Sequence, residues 1–91
     1  MPHVRVTRHL LRYFSGLTEH SQVEGCTVAA VLATLDARHP GLAAYIVDER
    51  GALRKHVNIF IGSERIRDRN DLSDSVNETD HLHILQALSG G

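Results

Sequence analysis

Residues 27 to 41 read Thr-Val-Ala-Ala-Val-Leu-Ala-Thr-Leu-Asp-Ala-Arg-His-Pro-Gly. Val28, Val31, Leu32 and Leu35 recur at helical spacing among alanines. Thr27 is a favourable N-cap residue, and His39-Pro40-Gly41 supplies the stop. This is the one clear helix of the chain. Its apolar stripe must be covered, and the flanking segments are what can cover it.

Before the helix, Val4 and Val6 alternate with His3, Arg5 and Thr7, the period-two pattern of a half-buried strand. After Ser15-Gly16, His20 to Glu24 reads as a second strand in a hairpin with the first, ended by Gly25. After the helix, Leu42 to Asp48 has two readings: Leu42, Tyr45 and Ile46 keep helical spacing, while Tyr45-Ile46-Val47 has strand-like composition. Asp48-Glu49-Arg50-Gly51 reads as a turn. Lys55 to Ile61 is then the strongest strand, with Val57, Ile59 and Ile61 on one face and Gly62-Ser63 closing it. Arg65-Ile66-Arg67 is a short extended piece, Leu72 and Val76 anchor a polar loop, and Asn77-Glu78-Thr79-Asp80 turns the chain. His81 to Ala87 is the last strand and buries Leu82 and Ile84. One helix against four or five short strands, with strands before and after it, predicts an α+β sheet-and-helix roll.

A length of 91 residues allows one small domain. With 42% hydrophobic and 23% charged residues, the chain has the composition of an ordinary globular domain. Ten basic and eleven acidic residues give a net charge of −1, so no overall field draws it to nucleic acid or to an anionic membrane, and neither is expected as a partner. The charge is unevenly spread. Every Lys and Arg lies at or before Arg69, and from Asn70 onward Asp71, Asp74, Glu78 and Asp80 stand unopposed. Cys26 is the single cysteine, which excludes an internal disulfide and a cysteine zinc site and suits a reducing compartment. The N-terminus lacks the apolar run of a signal peptide, and no segment approaches the roughly 20 apolar residues that span a bilayer. A cytoplasmic protein is expected.

The chain runs out as Leu88-Ser89-Gly90-Gly91. A terminal carboxylate is a poor electrophile, but once joined to AMP it becomes an acyl group that a thiol, a persulfide or an amine can attack. Glycine suits that chemistry because it passes a channel too narrow for a Cβ and leaves the terminal carbonyl unshielded. Ala87 to Gly91, fully extended, reach at most about 17 Å, enough to enter a partner's active site from a docked domain. The contrasting reading is a frayed or appended end with no chemistry.

The order strand, helix, hairpin and final strand, the segment His56-Val57-Asn58-Ile59-Phe60-Ile61 and the ending Ile84-Leu85-Gln86-Ala87-Leu88-Ser89-Gly90-Gly91 resemble the MoaD/ThiS-type sulfur-carrier proteins of the ubiquitin-like β-grasp fold. The resemblance covers essentially the whole chain. It implies a four- or five-stranded mixed sheet packed on one main helix, with a β-grasp domain over 1–87 and a flexible tail over 88–91. It also implies that a ubiquitin-activating-like adenylyltransferase, using ATP and magnesium, adenylates Gly91. The glycine is then converted to a thiocarboxylate and gives its sulfur to a biosynthetic enzyme. Gly91 would carry the sulfur, with Gly90, Ser89 and Leu88 as its tail, and the chain itself would bind no cofactor. Gln86 stands where the family often has Pro, and Ser89 where it often has Ala. The length and the hairpin around Arg50-Gly51 look more like carriers that feed cysteine or other sulfur-metabolite synthesis than the shorter thiamin carriers. Alternatives are the small subunit of molybdopterin synthase, a ubiquitin-like modifier attached to lysine amines, and a plain binding module. The tail has no arginine of the kind ubiquitin carries, and Lys55 is the only lysine.

Seven histidines are many for this length, and His81 and His83, two apart, project to one face of a strand. If that strand lies between the first strand and Lys55 to Ile61, as the resemblance implies, the face away from the helix also shows His3, His56, Asn58, Phe60 and Leu85. Phe60 and Leu85, bordered by His56, His81 and His83, form a candidate partner-binding surface. No cysteine or paired carboxylate accompanies these imidazoles, so no metal site is expected. Cys26 precedes the helix and reads as a small apolar filler more readily than as a thiol activated by the helix N-terminus. No Ser-His-Asp or Cys-His arrangement and no phosphate loop can be argued from spacing. The domain itself is expected to catalyse nothing.

Overall fold

The computed structural model describes residues 1–14 and 16–86, with the backbone alone at His9. The elements run β1 (His3–Val6), α1 (Arg8–Leu11), β2 (His20–Gln22), α2 (Val28–Arg38), α3 (Leu42–Ile46), β3 (Val57–Ile61), β4 (Glu64–Arg65) and β5 (His81–Gln86). The strands form one mixed sheet in the order β2-β1-β5-β3-β4. β5 is central, parallel to β1 and antiparallel to β3. This is the expected α+β architecture, a mixed sheet of five strands packed on one main helix.

Helix α2 forms as its sequence dictates. The Thr27 Oγ1 accepts from the Ala30 N–H at 3.1 Å, and Val28, Val31, Leu32 and Leu35 are buried. They meet Val4 and Val6 of β1, Val57 and Ile59 of β3 and Leu82 and Ile84 of β5 in a single core. The first two amides of α2 find acceptors outside the helix: Val28 N–H donates to the Asp74 carbonyl at 3.1 Å, and Ala29 N–H to the Leu72 carbonyl at 2.9 Å. The polar loop with Leu72 and Val76 buried beneath it therefore serves as the cap of the helix. At Gly25, between β2 and α2, a Cβ would stand 2.6 Å from the Val31 backbone nitrogen, so only glycine allows this close crossing.

The structure decides between the two readings of one segment and departs from the readings of several others. Leu42 to Ile46 is helical, because Asp36 Oδ1 accepts from Gly41 N–H at 3.2 Å and Ala43 N–H at 3.0 Å and caps the new turn. α1 is a four-residue helix that periodicity is too short to reveal, and it buries Leu10. β2 stops at Gln22, two residues early, although Val23 N–H still donates to the Pro2 carbonyl at 2.9 Å. Gly62-Ser63 is the two-residue turn of a hairpin between β3 and β4, with Gly62 at φ +64°, and does more than end a strand. Cys26 is exposed and is therefore no core filler. No helix among the described residues is long and apolar enough to cross a membrane.

Candidate functional site

The tail assigned to Leu88, Ser89, Gly90 and Gly91, and Ala87 before it, lie outside the described residues. What the structure describes is the root of that tail and the sheet face beside it. β5 carries Leu82 and Ile84 into the core at 0% and 1% exposure, so the strand leading to the tail is fixed from beneath. Its last residues, Leu85 and Gln86, pair with Asn58 and Val57 of β3.

Arg69 holds this end of β3 in place. Its guanidinium donates to the carbonyls of Arg54 at 2.8 Å and Val57 at 3.0 Å and to Asn58 Oδ1 at 3.1 Å, and its own carbonyl accepts from Leu53 N–H at 2.7 Å. Three charge-assisted or shared acceptors on one planar donor make a rigid strap. Sequence reasoning missed it, since the partners lie 11 to 15 residues away and no local pattern links them.

On the outer face the expected residues separate into two groups. Phe60 is in register with His83, and Leu85, 45% exposed, is in register with Asn58. His81 stacks on His3 across the parallel pair, with ring centroids 4.5 Å apart and planes 8° from parallel. His56 is not with them. It lies in the turn before β3, beside Tyr45, Arg54 and Gln86, at the opposite end of β5 from His81, about 17 Å along the strand. The strand begins two residues later than its sequence pattern suggested, at Val57 rather than Lys55, and that moves His56 from the histidine patch to the root of the tail.

One further participant comes from the neighbouring edge strand. Arg65 of β4 is in register with Phe60 and sets its guanidinium 5.8 Å from the ring centroid, a cation–π contact. The two-residue turn Gly62-Ser63 was the available signal, because it fixes which residues of β3 and β4 face each other. Tyr13 stacks on Tyr45 at 5.2 Å, and Phe14 meets Tyr45 edge-on at 5.5 Å, bracing α3 beside the root of the tail. Among the described residues no three histidine, cysteine or carboxylate side chains converge as a metal site would require. The strongly shifted carboxyl, Asp68, is a loop organiser. The Asp71 amide, then the Ser73 hydroxyl and further amides, pull its pKa down to about 2.

Comparison with known proteins agrees with this geometry. The sequence profile of the ThiS family matches residues 10–91. The sulfur carrier protein CysO of Mycobacterium tuberculosis is 30% identical over 84 residues, covering 90% of each chain. Among solved structures, a chain of the Amycolatopsis orientalis BexX/CysO complex superposes with a TM-score of 0.85 at 28% identity over the whole of both chains. The small archaeal modifier protein 1 of Methanosarcina acetivorans superposes at 0.77, with 27% identity over 99% of this chain and 95% of its own.

Proposed function

The chain belongs to the ThiS family, and from that membership we propose that it is a sulfur carrier whose reacting group is the C-terminal carboxylate of Gly91. The carrying observation is the combination of a family match that runs through residue 91 with an ending of Gly90-Gly91 attached to the central, core-anchored strand of a β-grasp sheet. A ubiquitin-activating-like adenylyltransferase joins the carboxylate to AMP from magnesium-bound ATP and releases pyrophosphate. Hydrosulfide then attacks the acyl carbon, AMP leaves as the C–O bond that held it breaks, and a thiocarboxylate remains to be spent on a biosynthetic acceptor. The domain contributes docking and reach and no catalytic side chain, so it acts as a protein cosubstrate in the cytoplasm and holds no cofactor of its own. Sulfur-metabolite synthesis, cysteine included, is the destination favoured by likeness to CysO over 90% of both chains.

The test is ATP-dependent adenylate formation with the activating enzyme of the same host. Deleting Gly91, or adding one residue after it, displaces the reacting carbonyl while leaving the core untouched. Both changes are expected to abolish adenylation and to preserve the fold. Normal adenylation of the extended chain removes the proposal. The likeness to a small archaeal modifier protein favours one second reading, transfer of the activated glycine to a lysine amine. A thiocarboxylate product supports the carrier, and an isopeptide conjugate supports the modifier.

A further inference from the structure

The turn before β3 stands where the chain leaves the sheet. Val57 N–H donates to the Arg54 carbonyl at 3.1 Å and closes a β-turn with Lys55 and His56, both exposed, at its centre. The Arg69 guanidinium donates to the carbonyls at both ends of that turn, Arg54 at 2.8 Å and Val57 at 3.0 Å, and so holds it in one place. Val57 in turn pairs with Gln86. Paired Cα atoms lie at most about 5.5 Å apart and two residues span at most about 7 Å, so the Cα of Lys55 lies within about 13 Å of that of Gln86.

Lys55 is the only lysine of the chain. The amine of Met1 belongs to the other end of the molecule, because β1 runs parallel to β5 from the His3–His81 pair, about 17 Å along the strand from Gln86. Cys26 shares that far end with Met1 and Pro2. Residues 87 to 91 reach at most about 17 Å beyond Gln86. That length covers the distance to Lys55 with slack for a reversal of direction, and the four-carbon stem of the lysine adds to it, whereas a return to Met1 would retrace the whole strand at full extension. Beside the turn runs a groove lined by Ala44, Tyr45, Arg54, His56 and Gln86. Gln86 has the parity of the buried Leu82 and Ile84, which places the groove on the helix side of the sheet. The Gln86 Oε1 is buried and accepts no hydrogen bond among the described residues. Arg54 is tethered through its Nε to the Ala44 carbonyl at 3.0 Å and pairs with no carboxylate among the described residues.

We propose that Lys55 is an internal acceptor for the activated glycine: where no sulfur nucleophile intercepts the acyl adenylate of Gly91, the chain closes on itself through a Gly91–Lys55 amide. The proposal rests on the carrier reading above, which supplies the adenylate. The Lys55 Nζ, as the free amine, attacks the acyl carbon. A C–N bond forms, the C–O bond to the phosphate breaks, AMP leaves with that electron pair, and the proton from the nitrogen passes to water. Nothing is oxidised or reduced, and the product is lighter than the free chain by one water. Arg54, next to the amine in sequence, sets a fixed positive charge near the leaving phosphate. A backbone N–H of the returning segment supplies the donor that the Gln86 Oε1 lacks. Joining two groups of one chain replaces a bimolecular encounter with a high effective concentration, which sets closure ahead of transfer to lysines of other proteins.

The experiment follows the intact mass of the full chain in two arms, each with the wild type and with Lys55→Arg, which keeps the charge and removes the nucleophile. In the first arm the host's activating enzyme acts with ATP and magnesium and no sulfur source, and pyrophosphate release reports adenylation separately. In the second the full chain is prepared with Gly91 as a thioester and diluted without enzyme. The wild type is expected to yield a monomer of the free-chain mass less one water, with fragmentation placing the link between Gly91 and Lys55. Lys55→Arg is expected to yield at least about tenfold less of it. Where pyrophosphate is released, the enzyme arm decides: a wild-type chain that stays linear overturns the proposal, as does a link to the Met1 amine or to a second copy, or a water loss undiminished in Lys55→Arg. Where none is released, the carrier reading falls and the thioester arm decides: closure at Lys55 supports the inference, and hydrolysis to the linear chain overturns it.

Discussion

Gln86, the last residue of β5, pairs with Val57, the first residue of β3. The segment leading to Gly91 therefore starts from a central strand that β1 flanks along His81–Ile84 and β3 along Leu82–Gln86. The point at which the chain leaves the sheet is thereby fixed at Gln86.

Stability and function should accordingly come apart along β5. Leu82 has no exposed surface, and Leu82→Ala leaves a cavity expected to cost about 2–5 kcal/mol. Deletion of Gly91 is expected to leave the urea midpoint where it is. Urea unfolding of the two variants beside the wild type checks both expectations.

Gly25→Ala puts a Cβ 2.6 Å from the Val31 nitrogen and 2.7 Å from its Cγ2, at a φ of +155°. Backbone on one side and a buried side chain on the other leave little room to yield. The variant should lose more than about 1 kcal/mol, read as a lowered urea midpoint. Gly51→Ala, whose Cβ meets nothing within 4 Å, should lose less.

Asp68 predicts an acid limb of the stability profile. Its pKa in the folded chain is lowered from 3.8 to about 2 by the Asp71 amide, the Ser73 hydroxyl and neighbouring amides. A depressed folded pKa means that the unfolded chain takes up the proton first. The contribution is therefore complete above the ordinary carboxylate pKa and is lost as pH falls from 3.8 to about 2. Asp68→Asn should lower stability at neutral pH and flatten that part of the profile, as urea midpoints measured down to strong acid will show.

Phe60 lies on the outer face, half-buried between His83 and Arg65. Phe60→Ala should weaken binding to the activating enzyme while costing less stability than Leu82→Ala. Calorimetric titration and urea unfolding of the same sample separate the two. A stability loss as large as that of Leu82→Ala would show that the ring supports the core.

Much of this fold was written in local patterns. The cap and spacing of Thr27 to Leu35, and the alternation of Val57 with Ile59 and of Leu82 with Ile84, are decided by neighbours in sequence. What escaped depends on distant partners. The strand-like run Tyr45-Ile46-Val47 is split, with Tyr45 and Ile46 in a helix that Asp36 caps from seven residues before Ala43. Arg69 looks like any surface cation until Arg54, Val57 and Asn58 are brought to it. His56 had the right parity for the histidine face, but β3 starts after it. The candidate reacting group, Gly91, was read from the Gly90-Gly91 ending and from resemblance to a family, and it lies outside the described residues.

Intact-mass spectrometry of the protein purified from its own host, with fragmentation to place any change, tests the sulfur-carrier function most directly. The expected result is a population in which one carboxylate oxygen at Gly91 is replaced by sulfur, and which disappears when the activating enzyme is removed from the host. An unaltered Gly91 carboxylate with the activating enzyme present, or Gly91 found only in amide linkage to lysines of other proteins, would contradict it.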